Sequence, residues 1–130
     1  MKRRDFLALG VAALTAPAMS KAAFGQSRYP DRPIRLVIPY PPGGVYDSTG
    51  RPWADRAKSL LGTIVIENIG GAGSSLGTAA VARAKPDGYT ILLGGNSGLV
   101  INPTASPRSP YDPVKDFEPI AVVGRNGDTH

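Results

Sequence analysis

The sequence predicts an α/β fold built on a parallel sheet. Three observations carry that expectation. Short apolar or β-branched runs alternate with stretches whose apolar residues recur at helical spacing, and each run is followed by a loop of small residues. A parallel strand pair needs a crossover, and crossovers of this kind are right-handed. The first three strands should therefore lie side by side, with helices over both faces.

The elements justify themselves in order. Ile34 to Pro39 is an apolar run closed by proline, which reads as a buried strand. Between Tyr46 and Leu61 the residues Tyr46, Gly50, Trp53, Ala54, Ala57, Leu60 and Leu61 mark one helical face, opposite Asp55, Arg56 and Lys58. Gly62 suits the end of that helix. Pro52 removes a backbone donor and crowds the carbonyl four residues back, so a kink or a late helix start is expected there. Thr63 to Glu67 is β-branched and predicts a second strand. Ser75 to Ala84 predicts a second helix, with Leu76, Ala80 and Val81 on one side. The turn Pro86-Asp87-Gly88 leads into a third strand, Tyr89 to Leu93. After a stretch rich in Gly, Pro and Ser come a helical turn near Val114–Phe117 and a fourth strand candidate, Ile120 to Val123.

The first 25 residues stand apart. Met1-Lys2-Arg3-Arg4 is basic, Leu7 to Ala18 is apolar, and small residues follow to Gln26. This is the pattern of a secretory signal peptide, and the apolar core falls short of the roughly 20 residues a spanning helix needs. Arg3-Arg4 before x-Phe-Leu points to the twin-arginine export route. Cleavage fits best after Gly25, with Ala22 as the alternative. The expected organisation is residues 1–25 signal peptide, 26–124 a folded α/β body, and 125–130 a polar end. The leader holds four of the 15 basic residues and one of the 10 acidic ones, which leaves the remainder at a net charge of about +2. Its basic residues are scattered, which argues against nucleic acid as a partner. With no cysteine, the domain must hold together through its core alone.

Three loops carry the functional signal. They are Pro41-Pro42-Gly43-Gly44, Gly70-Gly71-Ala72-Gly73-Ser74-Ser75 and Gly94-Gly95-Asn96-Ser97-Gly98. In a parallel sheet all three emerge at the carboxyl ends of the strands, where open α/β sheets bind ligands. Two of them lead into helix N-termini, whose free N–H groups favour an anion. Ser74, Ser75, Asn96 and Ser97 can add hydrogen bonds. Asp47 has two roles open to it: opening the helix after the first loop, or facing the ligand. Trp53 belongs to the core, while Tyr40 and Tyr46 flank the first loop and either can line a pocket.

Two motifs point elsewhere and fail on context. Gly71 to Gly77 resembles a dinucleotide fingerprint, but the nearest downstream acid, Asp87, lies before the next strand rather than at its far end. Gly73-Ser74-Ser75-Leu76-Gly77 matches a nucleophile elbow, so the alternative function is a small serine hydrolase using Ser75. The single histidine is His130, the last residue, and a chain end is a poor mount for a preorganised base. Without cysteine or an interior histidine the usual zinc and thiol chemistries are excluded, and neither catalysis nor a cofactor is expected.

Taken together, Tyr29-Pro30, Arg32-Pro33-Ile34, Pro39 to Gly44 with Asp47 and Arg51, and Glu67-Asn68 form an ordered set of motifs. The set continues through Gly71-Ala72-Gly73, Leu76-Gly77, Pro86 to Thr90, Ile101-Asn102-Pro103 and Tyr111 to Ala121. It resembles the Bug-type solute-binding receptors of tripartite tricarboxylate transporters, from about Tyr29 to Gly124. The resemblance implies one parallel-sheet lobe of a type II periplasmic binding protein, a Venus-flytrap fold that closes on a small organic carboxylate. It further implies delivery of a di- or tricarboxylate or an amino acid to membrane permease subunits, a periplasmic location and a monomer. Carried onto this chain, the ligand residues are Tyr40, Gly43, Gly44, Asp47, Gly73, Ser74, Ser75, Asn96 and Ser97. Members of this family are more than twice as long, so the chain reads as a truncated first lobe with weak or no binding of its own.

Overall fold

Ile34, Leu36, Val37 and Ile38 have at most 1% of their surface exposed, so the strand they form is covered on both faces. Burying each such side chain contributes about 1.5–3 kcal/mol, and this run is the centre of the molecule. The computed structural model describes residues 28–125; the leader predicted over residues 1–25 and the final residues 126–130 lie outside them.

Strand β1 (Ile34–Ile38) is flanked by β2 (Ile64–Asn68) and β3 (Thr90–Leu92), giving a parallel sheet of order β2-β1-β3. Ile34 stands beside Ile64, and Arg35 beside both Val65 and Thr90. Helix α1 (Val45–Leu61) packs on β1 and β2, and α2 (Ser75–Ala82) packs on β3 and β1. The chain steps one way from β1 to β2 and the other way from β2 to β3. Right-handed connections therefore place α1 and α2 on opposite faces, as the sequence predicts. On the α1 side Ile34, Leu36, Ala54 and Ile64 form the core, with Trp53, Ala57, Leu61, Ile91 and Leu93 packed around them.

Several boundaries and faces differ from expectation. Helix α1 begins at Val45 and runs on through Pro52. Ser48 and Pro52 are both exposed, so water can take over the carbonyl that proline leaves without a donor. Leu60, assigned to the apolar face, is 84% exposed. Helix α2 turns Gly77, Thr78 and Ala79 inward and leaves Leu76 largely outside. Gly77 decides this: a Cβ there would lie 2.5 Å from the Ile69 carbonyl oxygen and 2.7 Å from Pro39 Cβ. The helix sits too close to the end of β1 for any larger residue.

The third loop does not stay irregular. A π-helical turn over Ser97–Ile101 runs into the short helix α3 (Asn102–Ala105). The helical turn predicted near Val114–Phe117 is a plain turn over residues 113–115, with the Asp112 carboxylate accepting from the Val114 and Lys115 amides at 2.9 and 3.1 Å. Ile120 to Val123 is not a strand. It is unpaired, with Ile120 and Val122 about three-quarters exposed. Its β-branched residues have the propensity, but among the described residues no strand lies alongside to offer a ladder.

Candidate ligand-binding site

All three predicted loops emerge at the carboxyl edge of the sheet, each between a strand and the start of a helical segment. Tyr40 and Tyr46 bracket the first loop and stack face to face, with ring centroids 4.0 Å apart and planes 7° from parallel. The stack runs up to Gly95 of the third loop, where a Cβ would lie 2.0 Å from the Tyr46 hydroxyl and 2.6 Å from that of Tyr40. Only glycine leaves room for that contact. Burial pushes the Tyr46 phenol above its ordinary pKa.

A chain of hydroxyls joins the loops. Tyr40 Oη lies 2.6 Å from Ser97 Oγ, which lies 3.3 Å from Ser74 Oγ. These three groups carry three protons and share two bonds, so one hydroxyl proton remains free to donate. Ser74 is almost fully buried, Ser97 is half-buried, and Asn96 beside it is exposed.

The second loop is a left-handed turn. Gly71, Ala72, Gly73 and Ser74 have φ of 129°, 47°, 61° and 76°. Two of them are not glycine, and such conformations cost on the order of 1–3 kcal/mol each unless neighbours impose them. Asn102 of α3 does so: its Nδ2 donates to the Gly73 carbonyl and, at 3.0 Å, to Ser75 Oγ. The turn delivers the chain to the first residue of α2, where the Ser75 N–H donates to the Ala72 carbonyl and the Leu76 N–H to that of Gly71 at 3.5 Å.

Asp47 is 5% exposed and faces into the protein. Its Oδ2 accepts from the Gly43 amide and from Arg51 Nε, both at 2.9 Å, and its Oδ1 accepts from Asn68 Nδ2 at 3.0 Å. The Arg51 bond, then the Gly43 amide, then Asn68 lower its pKa from 3.8 to about 2. Asn68 also donates to the Tyr40 carbonyl at 3.2 Å. Asp47 thus closes the first loop onto the start of α1, and Gly44 serves as the N-cap without a side-chain bond. Arg51 spends its Nε on Asp47 and is otherwise half exposed, while helix starts and hydroxyls add to the attraction of this edge for an anion.

Reasoning from residue chemistry missed Asn68, Asn102 and Tyr111, although all three fall within the family motifs. Tyr111 is buried and donates to the Gly98 carbonyl, fixing the third loop from behind. No local signal marks these residues, because their partners are 13 to 30 positions away. Ser75 lacks the strained backbone of a nucleophile elbow. Its φ and ψ of −65° and −32° are helical, and the strain falls on Ser74.

Fold and loops together define a class: an α/β lobe that presents preorganised N–H and O–H donors at the carboxyl edge of a parallel sheet. The chain belongs to the tripartite tricarboxylate transporter family receptors, whose family model matches residues 51–128. That span takes in the second and third loops. Receptors of this family are binding proteins and not enzymes. Protein BugT of Bordetella pertussis is 38% identical over 111 residues, which are 84% of this chain and 34% of the relative. Two solved structures share the fold. The periplasmic binding protein BugD is 40% identical with a TM-score of 0.56, covering 71% of this chain and 31% of its own. MatC from Rhodopseudomonas palustris with bound malate is 38% identical with a TM-score of 0.68, covering 73% and 33%. The chain spans about a third of the length of the curated relatives it matches.

Proposed function

We propose that this chain forms one wall of a carboxylate-binding cleft in an extracytoplasmic solute receptor. In that role Gly43, Gly44, Gly73, Ser74 and Ser75 face a ligand carboxylate, with Asn96 and Ser97 at the rim of the third loop. Tyr40 holds the hydroxyl chain in place, and Asp47 shapes the first loop. The protein is exported by its N-terminal leader through the twin-arginine route, acts in the periplasm as a monomer and hands its ligand to membrane permease subunits. The observation that carries this reading is the convergence of three loops, helix starts and a chain of hydroxyls on one edge of the sheet, with the loops' own acid, Asp47, already committed. Such an edge favours an acceptor-rich anion. The malate bound to the related MatC agrees with that chemistry.

One wall covers part of a ligand, whereas small-molecule sites bury about 70–90% of the ligand surface, so binding by this chain alone should be weak. Calorimetric titration with malate and with its dimethyl ester tests the reading. Heat of binding for malate alone, lost in a Ser74→Val, Ser97→Ala double variant, is the expected result. Equal binding of the ester, or an unchanged double variant, would overturn it.

A further inference from the structure

Against the left-handed turn lies a cavity of about 270 Å³ that extends beyond the residues of the proposed cleft. Its walls are Ala72 and Ser75 from the turn, Asn102 and Ala105 from α3, and Ser106, Ser109 and Pro110 from the loop beyond. It therefore shares Ser75 with the carboxylate wall and Ala72 with the loop that carries it. At about 30 Å³ per water it has room for roughly nine, enough for a short carbon chain.

Its chemistry is selective. No wall residue carries a charge, and Arg108, in the loop that forms the far side, is exposed and not part of the lining. Ser75 Oγ accepts from Asn102, which leaves the Ser75 hydroxyl proton to donate elsewhere. Asn102 uses its Nδ2 on the turn, so its Oδ1 remains an acceptor. Ser109 Oγ is committed to the Tyr111 carbonyl at 2.7 Å. The Ser106 hydroxyl has no side-chain partner, so two hydroxyl donors and one acceptor sit among Ala72, Ala105 and Pro110. A hydroxyl can accept from Ser75 and Ser106 and donate to Asn102, while a second carboxylate has no proton to give the Asn102 oxygen and no cation beside it.

We infer that this cavity is a subsite for a neutral, hydroxyl-bearing tail, and that the carboxylate held at the turn belongs to a hydroxy acid of a few carbons. The inference rests on the proposed carboxylate wall and adds the chemistry of the ligand beyond that carboxylate.

The test compares acetate, butyrate, 4-hydroxybutyrate and succinate on the 130-residue chain, by the ligand-induced shift of the Ser75 amide. Acetate reaches only the carboxylate wall, and its failure to bind would remove that wall and the subsite with it. If acetate binds, 4-hydroxybutyrate should bind about tenfold more tightly than succinate and several-fold more tightly than butyrate. Ala105→Phe fills the cavity and should erase these differences while leaving acetate binding unchanged. Ser106→Trp, on an exposed position at the rim, gives a second route to the same block. Equal binding of the three longer acids, or tighter binding of succinate that depends on Arg108, would overturn the subsite while leaving the carboxylate wall intact.

Discussion

The two ends of the sheet are built from different interactions. At the amino end the chain is strapped down by exposed side chains. Arg32 pairs with Asp87 at 2.8 Å and lies 4.1 Å over the Tyr89 ring, Tyr89 Oη donates to Asp31 at 2.6 Å, and Tyr29 packs edge-on against Tyr89. At the carboxyl end the holding groups are buried or half-buried, and they bond both the loop backbone and one another. Asn68 and Asp47 hold the first loop, Asn102 the second, Tyr111 the third. The amino end satisfies its polar groups internally. The carboxyl end uses side chains to hold three loops in place with a chain of hydroxyls between them, the preorganisation that a ligand site requires.

If that contrast is right, the largest effects come from close backbone approach at the carboxyl end. Gly77→Ala should lose about 2–3 kcal/mol in urea unfolding, since its Cβ would meet backbone at 2.5 Å and α2 would have to lift from the sheet. Gly95→Ala should lose about 1–3 kcal/mol by forcing the two tyrosines apart, and it should also uncouple Ser97 from Tyr40. A Gly95 variant with native stability would break the idea that the stack locks the third loop.

The next effect depends on pH. The Asp47 pKa is lowered in the folded chain, to about 2, because its ionised form is bonded. Its contribution to stability is therefore fully present above the unfolded value near 3.8 and is lost as pH falls through about 2. Stability measured from pH 5 to pH 2 should fall in the wild type, and the fall should be smaller in Asp47→Asn. Identical pH profiles would separate Asp47 from the loop.

The smallest effect is expected at the amino end. Arg32→Ala removes an ion pair whose side chains are 58% and 36% exposed, and should cost no more than about 1 kcal/mol, less at high salt. Carboxylate binding should be unchanged by it.

Much of this layout was legible in the sequence because the core elements are marked by apolar periodicity. The strand around Leu36 and the helix around Ala54 fall where their patterns put them, to within a residue or so. The strand predicted at Ile120–Val123 failed for a tertiary reason: β-branched residues need a neighbouring ladder, and the described residues offer none. The π-turn and α3 were hidden because Gly94 to Gly98 has no helical period and is held by Tyr111 from outside. At the site, glycine-rich spacing revealed the loops but not their braces. Asp47 admitted two roles until the positions of Asn68 and Arg51 were known.

Amide chemical-shift mapping during a malate titration tests the central claim most directly. Shifts confined to Gly43, Gly44, Gly73, Ser74, Ser75 and Ser97, with Asp31, Arg32 and Tyr89 silent, are the predicted result. Shifts centred on the amino end, or saturable binding that leaves the three loops unperturbed, would contradict it.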